Sequence, residues 1–160
     1  MAAKQVYEIV EYVESVHREL EAILTQAREH TNHYQWELAV EYLRQRETNT
    51  QDVLKRLNVS TRQQVLNSYI RYYPIEIEKE IQQRLDRIRG SQSFDPVQEV
   101  IGIKQQLVTL VSACNNSVSL PDVQQLFEEY AEYERSQLQR YGRRAVELKQ
   151  EYSGNGGGQT

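Results

Sequence analysis

The chain has 160 residues, of which 26% are charged, a formal net charge of -4, seven Gly, three Pro and a single Cys. That is the length of one domain with room for a real core. No run of 18 apolar residues could form a membrane span, the acidic balance argues against a broad nucleic-acid surface, and Cys114 alone excludes an internal disulfide.

Nothing apolar follows Met1-Ala2-Ala3-Lys4-Gln5 that could serve as a secretory signal, so a cytoplasmic protein is expected. Residues 6–27 carry Val6, Ile9, Val13, Val16, Leu20, Ile23 and Ala27. Those three-four spacings predict a helix packed along a neighbour at a shallow angle. Residues 28–33 are polar and read as a short turn, which holds His30 and His33. A second helix is predicted over 34–57, antiparallel to the first because the turn is short.

Residues 58–95 read as a crossover. Ser60-Thr61-Arg62-Gln63 resembles a capping box that opens a short helix. Tyr73-Pro74 should interrupt it, since Pro disfavours the helical conformation of the residue before it. Another helix is expected over about 75–89, stopping at Gly90. Asp95-Pro96 is a helix start, an N-cap acceptor followed by Pro at the first helical position. Helix 96–114 follows, then a turn at 115–120, then a helix from Pro121 to about Tyr152. Residues 153–160, with four of the seven Gly, form a flexible tail. No strand is predicted.

The expected fold is therefore all-α. A four-helix bundle would be built from two antiparallel hairpins, 4–57 and 96–152, joined by the helical crossover 58–95. The hairpins echo one another at a shift of 87 residues. Val13, Val16, Leu20, Ile23 and Ala27 become Val100, Ile103, Leu107, Leu110 and Cys114. The stripe Trp36, Val40, Leu43, Glu47, Thr50, Leu54, Leu57 becomes Val123, Phe127, Tyr130, Glu134, Gln137, Tyr141, Arg144.

Glu47 and Glu134 thus stand inside apolar stripes, where an unpartnered carboxylate is costly. Residues equidistant from an antiparallel turn face each other. Glu47 should lie level with His17, and Glu134 with Lys104, itself 87 residues beyond His17. The expected core polar pairs are His17 with Glu47 and Lys104 with Glu134, helped by Thr50, Gln137 and Tyr130. Glu14-Ser15-Val16-His17 has the Glu-x-x-His spacing, which places both side chains on one helix face. With Glu47 it forms an alternative three-ligand set for iron or manganese. Cys114 reads as a small core residue. Tyr69, Tyr72 and Tyr73 before Pro74 read as a docking patch for another protein.

Residues 13–20 (VESVHREL), 41–47 (EYLRQRE), 69–74 (YIRYYP) and 126–134 (LFEEYAEYE) together resemble the ferritin-like superfamily, nearest to its small rubrerythrin-type bacterial members. The resemblance spans about residues 5–150. It implies a bundle with a di-metal centre whose helix glutamates map onto Glu14, Glu47 and Glu134. The family's remaining ligand positions fall on Ile101, Thr50 and Gln137, so the resemblance implies the scaffold without the usual cofactor.

No catalytic triad, phosphate loop or CxxC pair is present in the sequence. The expected function is that of a non-catalytic ferritin-like helical protein acting through protein contacts, with a second copy of the chain or with another protein. The alternative is an iron- or manganese-dependent redox enzyme, or a metal-binding protein, with a reduced site at Glu14, His17 and Glu47.

Overall fold

The computed structural model describes residues 2–30, 34–89, 95–148 and 150. The chain is predominantly helical. In order it runs β1 (Ala2–Gln5), α1 (Val6–His30), α2 (Tyr34–Ser60), α3 (Gln63–Leu66), β2 (Tyr69–Tyr73), α4 (Ile75–Arg89), α5 (Pro96–Asn116) and α6 (Pro121–Gln137). A π-helical turn, Leu138–Gly142, continues α6, and residues 143–148 are helical again. Expectations for the His30 and His33 side chains, the Trp36 side chain, the Gly90 stop and the tail lie outside the described residues.

Local chemistry explains most of these boundaries. The Gln5 amide donates to Glu8 Oε2 at 2.8 Å, which ties off the first turn of α1. Asp95 caps α5 by accepting from the amides of Val97 and Gln98, and Pro96 occupies the first helical position as expected. Ser60 and Thr61 behave otherwise. Their hydroxyls donate back to the Leu57 carbonyl, at 2.9 and 2.7 Å, and close the end of α2. The N-cap position of α3 falls to Arg62, whose side chain makes no capping bond. The expected capping box is therefore a helix terminator, because α2 runs three residues past Leu57 and claims both hydroxyls.

The segment before Pro74 is not helical. Residues 69–73 form β2, which pairs antiparallel with β1 in the register Lys4 to Ile70 and Gln5 to Tyr69. Pro74 holds Tyr73 extended, and an aromatic and β-branched run suits a strand. This corrects the expectation of no strand.

One cluster of buried apolar side chains extends from Val6 to Ala145. Helix α1 lies along α2, and α5 along α6. Helix α5 is the most enclosed, meeting α1, α2, α4, α6 and β2. It buries residues on more than one face, Lys104 and Gly102 among them. Helix α4 presents Ile81, Leu85 and Ile88 to the core and packs on α5 and α1. Two ion pairs hold it at the surface: Arg84 Nε to Glu99 Oε2 at 2.7 Å, and Arg89 to Glu19.

The π-helical turn changes the second stripe. Each residue in a π turn adds less rotation than in an α-helix, so the downstream face is reset. Burial passes to Gly142 and Ala145, while Tyr141 is half-buried and Arg144 exposed. In the second stripe Val40, Leu43 and Glu47 are buried like Phe127, Tyr130 and Glu134, and the correspondence in burial ends at Gln137, which is half-buried where Thr50 is buried.

Candidate functional site

His17 stands on α1, on the same buried stripe as Val13, Val16 and Leu20. Glu47 and Thr50 stand mid-way along α2, Lys104 on α5, and Glu134 near the end of α6. All five are at most 4% exposed. The helix pairing brings four of them to one level and joins them in a ring.

His17 Nδ1 lies 2.6 Å from Glu47 Oε2. His17 Nε2 lies 3.5 Å from Glu134 Oε2. Lys104 Nζ donates to Glu47 Oε1 and stands 3.4 Å from Glu134 Oε1. Each carboxylate thus turns one oxygen to the histidine and the other to the lysine. The expected pairs were His17 with Glu47 and Lys104 with Glu134. Both are present, but the tightest lysine contact crosses to the other hairpin, to Glu47. Glu134 is held chiefly by charge: its two buried oxygens lie 3.4 and 3.5 Å from Lys104 Nζ and His17 Nε2, and neither makes a well-aligned hydrogen bond.

Tyr130 closes the ring from α6, with its hydroxyl 3.1 Å from His17 Nε2 and its ring edge-on to the imidazole. When both imidazole nitrogens carry protons, Nδ1–H donates to Glu47 and Nε2–H to the Tyr130 oxygen. Thr50 is fully buried beside Tyr133, and Gln137 is half-buried. Neither hydrogen-bonds to the four charged residues, so the help expected from Thr50 and Gln137 is not given. Tyr133 is a neighbour that stripe counting passes over, because it lies one position ahead of Glu134.

Burial works against every charge in the layer, and neighbouring charges reverse it. Burial would raise the Glu47 carboxyl, but the Lys104 and His17 charges and their hydrogen bonds lower it to about 2. Burial would lower the imidazole of His17, yet the Glu47 and Glu134 carboxylates hold it above its ordinary value. The ammonium of Lys104, desolvated but facing the same two carboxylates, also lies above its ordinary value. The phenol of Tyr130 is pushed well up, first by burial and then by Glu134 and Glu47. The surroundings therefore favour the charged forms of His17, Glu47 and Lys104 and the neutral form of Tyr130.

Glu14 is half-buried on α1 with Oε1 enclosed and without a hydrogen-bond partner. It does not join His17 and Glu47 in a metal-binding group. Among the described residues no three His, Cys, Asp or Glu side chains are arranged to hold an ion. The donor chemistry agrees. Both nitrogens of His17 face protein groups, an ammonium stands between the two carboxylates, and Thr50, Gln137 and Ile101 supply no ligand of the usual type. A di-metal centre does not fit these residues as they stand.

The tyrosine patch divides. Tyr69 and Tyr72 are 67% and 52% exposed. Tyr73 is a core residue, 4% exposed, with its hydroxyl donating to Glu78 Oε1 at 3.1 Å. A bulge in β2, three residue steps from Ile70 to Tyr73 against two from Lys4 to Ala2, breaks the alternation, and both Ile70 and Tyr73 are buried. Val59 at the end of α2 and Leu120 before α6 are also exposed, and the Ser117 hydroxyl reaches the Tyr72 carbonyl at 3.5 Å. Tyr69, Tyr72, Val59 and Leu120 are thus the four most exposed large apolar side chains among the described residues.

Cys114 is buried, and burial pushes its thiol up to about 12, as for a core residue rather than a nucleophile. Sequence reading missed Arg46, whose guanidinium stacks 4.1 Å from the Tyr141 ring centre and 5.2 Å from that of Tyr42. Tyr141 lies within the π-helical turn. Among the described residues no helix is long and apolar enough to cross a membrane.

No protein-family model, curated protein or solved structure matches the chain.

Proposed function

We propose that this is a ferritin-like helical protein, two antiparallel hairpins and a helical crossover forming a four-helix bundle, that acts through protein contacts and catalyses no reaction. The observation that carries the reading is the Lys104 ammonium between Glu47 and Glu134, within reach of both carboxylates. Together with His17 it occupies the two groups that would otherwise serve as acid, base or metal ligands. The layer then sets how the helices seat on one another, and recognition falls to the surface. The exposed Tyr69, Tyr72, Val59 and Leu120 offer apolar area for a protein partner, and a second copy is the partner tested first.

Two measurements test this. Protein purified without chelator is expected to carry iron, manganese and zinc well below one equivalent. Stoichiometric metal that disappears in Glu47→Ala would overturn the reading in favour of a site at Glu14, His17 and Glu47. Sedimentation across a concentration series is expected to show self-association that weakens in the Tyr69→Ser/Tyr72→Ser variant while its melting temperature stays unchanged. A monomer at all concentrations would exclude the second copy as partner.

A further inference from the structure

We infer that the ammonium of Lys104 is the resident cation of a two-carboxylate site, standing where a divalent metal ion would bind in its absence. The arrangement of oxygens carries this. Oε1 of Glu47 and Oε1 of Glu134 both turn to Lys104 Nζ, so one oxygen from each carboxylate converges on a single point. Oε2 of each turns to His17 instead, at 2.6 and 3.5 Å. An imidazole bound to the far oxygen of a ligand carboxylate orients it, as outer-sphere groups do around metal ions.

The convergence point is enclosed, since Lys104, Glu47 and Glu134 are at most 4% exposed. It is also under-filled in hydrogen bonds. Both oxygens of Glu134 are buried without one, an unusual state for a carboxylate unless charge holds it. A single positive charge on a flexible stem serves two carboxylates there. A divalent ion of the manganese, iron or zinc class would match that oxygen pair in charge and ligand type. Lysine supplies the charge covalently, so the site needs no ion. This inference rests on the proposed function in one respect, that the natural chain holds no metal.

The test is Lys104→Ala, titrated with manganese chloride or zinc chloride alone. The variant is expected to retain about one equivalent of metal per chain after dialysis and to melt at a temperature that rises with metal concentration. Both effects should vanish in Lys104→Ala/Glu134→Gln, and the natural chain should show neither. If Lys104→Ala does not fold by itself, helical circular dichroism recovered on refolding with metal gives the same support. A variant that folds and takes up no metal overturns the inference, as does one that stays unfolded with metal present. Stoichiometric metal in the natural chain would instead sink the proposed function, so the two failures are told apart.

Discussion

Glu47 and His17 set opposite limits on stability against pH. The ordinary value of the Glu47 carboxyl is 4.5, and the fold lowers it to about 2. Its contribution is therefore complete above about pH 4.5 and lost as pH falls toward 2. A shift of that size amounts to about 3 kcal/mol. His17 is shifted upward from 6.5, so its contribution is complete below pH 6.5 and lost as pH rises through its folded value. Thermal midpoints should peak between about pH 4.5 and 6.5. In Glu47→Gln the acid limb should flatten, and in His17→Gln the alkaline one; a parallel profile in either variant would refute the assignment. Pairing also ranks the glutamates. Glu47→Leu removes the shorter contact of both cations, leaving them only Glu134 at 3.4 and 3.5 Å, and should cost roughly 3 to 5 kcal/mol. Glu134→Leu leaves His17 and Lys104 still on Glu47 and should cost roughly half as much. Urea denaturation of both variants checks the order. That these four residues share one level was legible by counting from the turn centres. The crossing of Lys104 to Glu47 was not, because counting along a hairpin fixes height and says nothing of lateral position.

At the level of elements, long periodic stretches were readable and short ones were not. α1, α4 and α5 fall close to their expected spans because each repeats an apolar spacing over several turns. The strand pair was hidden because β1, Ala-Ala-Lys-Gln, has no strand signature and exists only through its pairing with β2. The π turn was hidden because nothing in Leu138–Gly142 marks an extra residue. Glycine in α5 is a different kind of signal. A Cβ at Gly102 would lie 2.2 Å from Arg84 Nη2, so the missing side chain lets the α4 guanidinium lie against α5 while its Nε bonds Glu99. Gly102→Ala should therefore displace Arg84 and open the Arg84–Glu99 pair. Ala is the better helix former by about 1 kcal/mol. In an Arg84→Ala background, where nothing is displaced, Gly102→Ala should stabilise by about that amount. In the natural background the gain should shrink or reverse. Equal effects in both backgrounds, by denaturant unfolding, would show that Arg84 does not occupy this space.

For the whole molecule, the ring joins what the chain keeps apart. Two members come from the first helix pair and two from the second, and Lys104 to Glu47 and His17 to Glu134 run between the pairs. Surrounding apolar contacts tolerate sliding and rotation, whereas charges at this depth tolerate neither. Taking four charges out of water costs several kcal/mol each, and their attraction roughly offsets it. The ring should thus add little net stability while selecting one seating of the pairs. Replacing all four together, as His17→Leu, Glu47→Leu, Lys104→Met and Glu134→Leu, removes the desolvation cost and the attraction at once. That variant is expected to match or exceed the natural chain by about 1 to 4 kcal/mol, although each single change destabilises. Specificity should suffer instead. Its near-ultraviolet circular dichroism should weaken and its amide resonances broaden, while helical content is kept, as for a core that packs in more than one way. A quadruple variant that is less stable than the natural chain yet uniquely packed would assign the ring to stability instead of to the register between the helix pairs.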